Sequence, residues 1–224
     1  MKYTHVLFDA DETLFSFNAY AGLKRMFATY DIDFTPADYD HYQLTNKSLW
    51  LAYQDNKISA THLQVTRFSE WATKLKVPAQ QLNDDFLTAM AEICQPLPGA
   101  VELLTKLKPN AKLGIITNGF TQLQARRLEH TGLKDMFDWL VISEQVGIAK
   151  PAVEIFDHTF ELMGNPAKEQ ILMVGDTANS DILGGMNAGI DTCWLQHPGF
   201  ELPSGITPTY KITELVQLQQ LLGL

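Results

Sequence analysis

From Leu97 onward, short runs rich in apolar and β-branched residues alternate with stretches whose apolar positions recur every three or four residues. The first pattern fits strands and the second amphipathic helices. Residues 113–117, 139–142, 171–175, 192–195 and 209–212 are predicted strands, and residues 6–8 add one at the N-terminus. Helices are expected between them, such as 121–131, followed by Gly132, and 152–163, opened by Pro151 and stopped by Gly164. Strands alternating with helices are the signature of a parallel sheet covered on both faces, so the expected fold class is α/β, a Rossmann-like doubly wound sheet.

Residues 16–95 break this alternation, because they hold no convincing strand and several apolar stripes at helical spacing. Phe68, Trp71, Ala72 and Leu75 fall at i, i+3, i+4 and i+7, and Leu82, Phe86, Met90 and Ile93 mark one face of a following helix. Asp55 and Ser59 suit turns or helix starts. The expected organisation is an α/β core of residues 1–15 and 96–224 carrying an inserted α-helical domain of residues 16–95.

The composition excludes several function classes. A chain of 224 residues that is 46% hydrophobic can bury a sizeable core, and its formal charge of -9 comes without the Lys and Arg clusters that a nucleic-acid polymer requires. A small phosphate ester is still compatible with that charge, provided that a metal ion and one or two cations reverse the local field. No stretch approaches a membrane span, and the apolar run at residues 6–8 is too short for the core of a signal peptide, so a cytoplasmic protein without a membrane partner is expected. The six histidines have no zinc-ligand spacing, and Cys94 and Cys193 read as buried small hydrophobes.

Candidate chemistry collects at the strand ends. Asp9 and Asp11 follow the first strand two positions apart, which turns both carboxylates to one side of an extended chain. Like charges this close call for a cation, although a lone D-x-D also reads as a solvated turn. The strand at 171–175 runs into Asp176 and Asp181, and two strand ends bearing carboxylates suit Mg²⁺, a hard ion that keeps waters and substrate phosphate among its ligands. Asp181 reads equally as a helix cap. A third strand ends in Thr117-Asn118-Gly119, where a hydroxyl and turn amides can receive phosphate oxygens, or which is a plain Asn-Gly turn. Lys150 stands before a helix start, where the helix dipole disfavours a cation unless an anion is bound nearby. No Walker-type loop is present, and Gly184-Gly185-Met186-Asn187-Ala188-Gly189 lacks dinucleotide-binding spacing.

In this order along the chain, the four clusters resemble the motifs of the haloacid dehalogenase superfamily: Asp9 to Thr13, Thr117, Lys150, and Gly175 to Asp181. The resemblance covers nearly the whole chain, including a helical cap between the first two motifs. It implies that Asp9 is a nucleophile forming an aspartyl-phosphate and that Asp11 is the general acid and base. It also implies that Asp9, Asp11 (through its carbonyl) and Asp176 hold Mg²⁺, with Mn²⁺ as a substitute. Asp181 then lies behind the metal or caps a helix, while Thr117, Asn118, Gly119 and Lys150 hold the phosphate. Within the superfamily the chain is similar to the bacterial pyrimidine 5′-nucleotidases, through Asp9 to Phe15, Ile115 to Thr121, Val141 to Glu144 and Met173 to Thr177. The expected substrate is thus a nucleoside 5′-monophosphate with a pyrimidine base.

The competing readings are a phosphatase of a sugar phosphate or phosphoglycolate, a dehalogenase, a phosphomutase and a receiver-type phosphoacceptor domain. Asp11 argues against the dehalogenase, and Glu12, standing where sugar mutases carry glycine, argues against the mutase. The D-x-D spacing and the inserted domain argue against the receiver.

Overall fold

The computed structural model describes residues 2–224. By its internal contacts the chain divides into two compact units: Met1–Ser16, Gln95–Gly119 and Gly132–Leu224 form one, and Phe17–Cys94 with Phe120–Thr131 form the other.

The first unit is built on a six-stranded sheet of β1 (His5–Phe8), β2 (Lys112–Thr117), β3 (Trp139–Ile142), β4 (Ile171–Gly175), β5 (Asp191–Leu195) and β6 (Tyr210–Ile212). All neighbours pair in parallel, in the order β3-β2-β1-β4-β5-β6. This confirms the doubly wound class, and the strand bounds depart from the expected ones by a single residue at most. Continuous apolar runs were informative because both sheet faces are covered: Val6, Leu7, Phe8 and Ile171 to Val174 are all buried. The winding direction reverses between β1 and β4, and at such a switch point the strand ends diverge and leave a crevice. The register sets Phe8 beside both Ile115 and Val174, so the residues leaving β1, β2 and β4 emerge at one level.

The second unit holds α1 (Ala19–Ala28), α2 (Pro36–Gln54), α3 (Ala60–Thr66), α4 (Ser69–Leu75) and α5 (Ala79–Ile93). Thr35 and Asp38 form a reciprocal capping box at the start of α2, with Pro36 in its first turn. Asp55 caps the C-terminus of α2 and Ser59 the N-terminus of α3. Helices α1 and α5 approach closely at Gly22, where a Cβ would lie 2.2 Å from Met90 Sδ. Phe27 stacks on Phe34 and meets Trp71, with ring centroids 4.8 and 4.4 Å apart, so that part of the apolar stripe is the unit's own core.

The remaining helices are α6 (Ala100–Leu107), α7 (Thr121–His130), α8 (Ser143–Val146), α9 (Val153–Leu162), α10 (Leu183–Ala188) and α11 (Leu215–Leu222). Gly132 and Gly164, at φ +68° and +81°, supply the left-handed residues that follow α7 and α9. Although α7 follows β2 in sequence, its contacts place it with the helical unit, where it packs on α5 and Arg126 donates to Thr88. Among the described residues, no helix is long and apolar enough to cross a membrane.

Candidate active site

The loop after β1 is shaped by its own backbone. Asp9 N–H still donates to Val174 O, as a strand residue would, and then Leu14 and Phe15 N–H both return to Ala10 O. Glu12, at the bend, adopts φ +56°. The ends of the departing and returning chains are tied by Ser16 N–H to Gln95 O and Leu97 N–H to Leu14 O. This closure holds Asp9 at the end of β1 with its side chain almost fully buried.

Lys150 is the centre of the arrangement. Its ammonium is 1% exposed and uses three donor directions on three acceptors: Asp9 Oδ1 at 2.7 Å, Asp181 Oδ1 at 2.8 Å and Ile116 O at 2.7 Å. Burial alone would lower its pKa, but the two carboxylates outweigh burial and hold it above the ordinary lysine value. Asp181 is saturated in turn, accepting from Ser180 Oγ at 2.9 Å and from Thr177 N–H at 3.0 Å. It therefore anchors Lys150 and also braces the start of the helical turn Ala178–Ile182.

Asp9, Asp176 and Asp181 each present an oxygen, all within 4.8 Å of one another. Burial raises the pKa of Asp9 well above the usual carboxylate range, Lys150 opposes this, and Asp181, Asp176 and Asp11 add to it. Asp176 is pushed up to about 7, by burial first and by Asp181 next. Three carboxylates against one ammonium leave an excess of negative charge, and a cluster of hard oxygen donors with that excess fits a divalent cation of the Mg²⁺ or Mn²⁺ kind. Asp176 also accepts from Thr13 Oγ1 at 3.3 Å, and its own carbonyl accepts from Trp194 Nε1.

The turn after β2 departs in detail from a simple phosphate cradle. Thr117 is buried, and its Oγ1 accepts Gly119 N–H at 3.0 Å, so this amide is already engaged. The Asn118 side chain turns to Lys150 instead: Oδ1 accepts Lys150 N–H at 2.8 Å while Nδ2 donates to Lys150 O at 2.9 Å. Sequence reasoning missed this two-point clamp and the Thr13 contact with Asp176. No local pattern marks either, since both join residues distant in the chain. Asp11 lies on the same loop, bridged through its backbone to Phe15.

Comparison with known proteins agrees with this geometry. A family model for haloacid dehalogenase-like hydrolases matches residues 3–189. The chain is 55% identical over 222 residues to pyrimidine 5′-nucleotidase YjjG of Escherichia coli K12, covering 99% of each protein. It is 34% identical over 220 residues to pyrimidine 5′-nucleotidase PynA of Streptococcus pneumoniae R6, covering 95% of this chain and 92% of the other. A crystal structure of the HAD-hydrolase YfnB of Bacillus subtilis bound to magnesium superposes with a TM-score of 0.87 at 31% identity and covers 100% of both chains. The family match runs through every strand end that contributes to the cluster around Lys150, and the chain belongs to the haloacid dehalogenase-like hydrolases.

Proposed function

We propose that the protein is a magnesium-dependent phosphomonoesterase that hydrolyses nucleoside 5′-monophosphates, pyrimidine nucleotides above others, through an aspartyl-phosphate on Asp9. One observation carries the chemistry: a carboxylate stands at the sheet's switch point, buried yet paired to Lys150 at 2.7 Å, a contact that opposes the effect of burial on its ionisation. The nucleotide assignment rests on full-length likeness to two pyrimidine 5′-nucleotidases.

A carboxylate oxygen of Asp9 attacks phosphorus while the bond from phosphorus to the ester oxygen breaks. Asp11 gives its proton to the departing alkoxide. In the second step Asp11 takes a proton from water, the water oxygen attacks phosphorus, and the bond to Asp9 breaks to release inorganic phosphate. Lys150, the Thr117 hydroxyl and backbone amides of the turn after Thr117 bind the transferring group. Asn118 serves that group indirectly, by fixing the backbone of Lys150. Asp9, the Asp11 carbonyl and Asp176 would hold Mg²⁺, with Asp181 behind them. The ion's contribution is to offset repulsion between the Asp9 carboxylate and a phosphate dianion. The inserted segment 16–95 acts as the cap that selects the leaving group. Nucleoside monophosphates are cytoplasmic metabolites, and the enzyme is assigned to that compartment.

The test is a panel of nucleoside monophosphates, hexose phosphates, phosphoglycolate and phosphoserine at fixed Mg²⁺, with an EDTA control. UMP, dUMP and dTMP are expected to show the highest kcat/KM, and chelation to silence the enzyme. A preference for a sugar or glycolate phosphate over every pyrimidine nucleotide would defeat the substrate assignment alone. Full activity without metal would defeat the mechanism.

A further inference from the structure

The end of β5 delivers two side-chain donors to the acid loops of the sheet unit. Trp194 lies in register beside Gly175, one residue before Asp176, and its Nε1–H donates to Asp176 O at 2.6 Å. The indole is 1% exposed and packs with Ile182 and Ile206, so a rigid ring in a filled core aims the donor. Three residues on, the half-buried His197 places Nε2 2.6 Å from the carbonyl oxygen of Glu12, the residue after Asp11. A carbonyl oxygen can only accept, so Nε2 carries the proton.

A buried indole takes an acceptor wherever one is in reach, and that alone would make Trp194 an ordinary core residue. Two features set this pair apart. The peptide between Asp176 and Thr177 is gripped at both ends, its oxygen by Trp194 and its N–H by Asp181 Oδ2 at 3.0 Å. Asp181 in turn holds Lys150. In the other loop, Glu12 stands at φ +56°, a conformation that a residue other than glycine keeps only when its surroundings enforce it. Its N–H goes to Phe15 O at 2.7 Å and its own oxygen to His197. Thr13, the next residue, donates to Asp176 Oδ1 at 3.3 Å and joins the two loops. Donors that take backbone oxygens fix the loops and leave carboxylates for a cation.

We infer that Trp194 and His197 are positioning residues of the metal site: from one strand end they hold the backbone of Asp176 and of the Asp9–Thr13 loop, and so aim the groups assigned to Mg²⁺. The inference rests on the magnesium-dependent reading above and names what keeps its ligands in place. Groups that orient metal ligands set affinity as well as rate, because a ligand free to turn must be ordered each time the ion binds.

The test is a titration of Mg²⁺ alone into metal-free parent, Trp194→Phe, His197→Ala and His197→Gln. The rise in Tm with added ion reports the dissociation constant, and the Tm before addition reports packing. Trp194→Phe keeps a ring in the core without the N–H. The dissociation constant should rise roughly 10- to 100-fold there and in His197→Ala, the range for losing a partner that orients a metal ligand. His197→Gln retains an N–H donor and should recover part of the loss. Variants with a lower starting Tm but the affinity of the parent would show that both side chains serve packing only, which overturns the inference. Should Trp194→Phe fail to fold, NMR of the parent with isotope-labelled indole nitrogens decides. The Trp194 signal, assigned by elimination from Trp50→Phe, Trp71→Phe and Trp139→Phe, must shift on addition of Mg²⁺, and a signal that stays fixed overturns the inference for Trp194. A parent that binds no Mg²⁺ defeats the magnesium-dependent reading itself, a result distinct from binding that survives unchanged in the variants.

Discussion

Gly175 closes β4, and no larger residue fits there. A Cβ at this position would stand 2.3 Å from Asp181 Oδ2, 2.4 Å from its Cβ and 2.5 Å from its Cγ. Asp181 cannot swing aside freely, since it is 1% exposed and receives Lys150, Ser180 and the Thr177 amide. In Gly175→Ala, therefore, either the strand end shifts or Asp181 leaves Lys150. Overpacking of this kind costs about 1–3 kcal/mol, and breaking a buried ion pair costs up to about 3–5 kcal/mol. Lys150 keeps two of its three acceptors, Asp9 and Ile116 O, so the lower part of the combined range applies. We expect a loss of about 2–4 kcal/mol, or roughly 5–15 °C in Tm for a chain of this size. Because Lys150 positions the nucleophile, kcat should fall by about 100-fold, the scale of an ångström-level misplacement. Urea denaturation and turnover of p-nitrophenyl phosphate measure the two effects. Gly114→Ala is the control: its Cβ would come closest to the far end of the Leu7 side chain, Cδ2 at 2.9 Å, with Trp139 O and Cβ at ordinary distances of 3.6 and 3.7 Å and no residue of the carboxylate cluster in reach, so kcat should hold. A Gly175→Ala protein within about 1 kcal/mol of the parent, with unaltered kcat, would refute the idea that Asp181 is fixed in place and that its contact with Lys150 matters.

Asp9→Asn should abolish turnover without loss of folding, because an amide cannot form the acyl phosphate and its neutrality removes repulsion from Asp181, Asp176 and Asp11; circular dichroism and a phosphatase assay check both, and measurable turnover through residue 9 as an amide would remove the nucleophile assignment. Asn118→Ala frees both backbone groups of Lys150, and a loss of about 1–3 kcal/mol with a fall in kcat larger than any rise in KM is expected from denaturation and steady-state kinetics. Asn118→Asp keeps the acceptor but not the donor and should lie between Ala and the parent. In metal-free protein, Asp176 titrates near 7 when folded and near its ordinary value when unfolded, so the unfolded state holds fewer protons between those values and stability falls as pH rises across that window. Mg²⁺ should then raise Tm more at pH 8 than at pH 5, and equal shifts at both would contradict the charge excess read from the cluster.

What the sequence determined by itself is whatever depends on local exposure. The strands were legible because a parallel strand covered on both faces must be apolar at every position, as Ile171 to Val174 are. Asp9, Asp176 and Thr117 stood out because polar residues interrupt such runs only where the chain leaves the sheet. Helical stripes in residues 16–95 were visible for a similar reason, since a helix buries one face. What only the tertiary structure decided is which distant residues meet. Lys150 gave no local sign that it would reach Asp9 and Asp181, nor Asn118 that its side chain would hold the backbone of Lys150. Helix α7 looked like a sheet helix from its place after β2, and its packing on α5 follows from shape rather than periodicity. Periodicity records whether a side chain meets water, whereas charge pairing and clamps depend on the partner's direction and distance, which no one-dimensional pattern encodes.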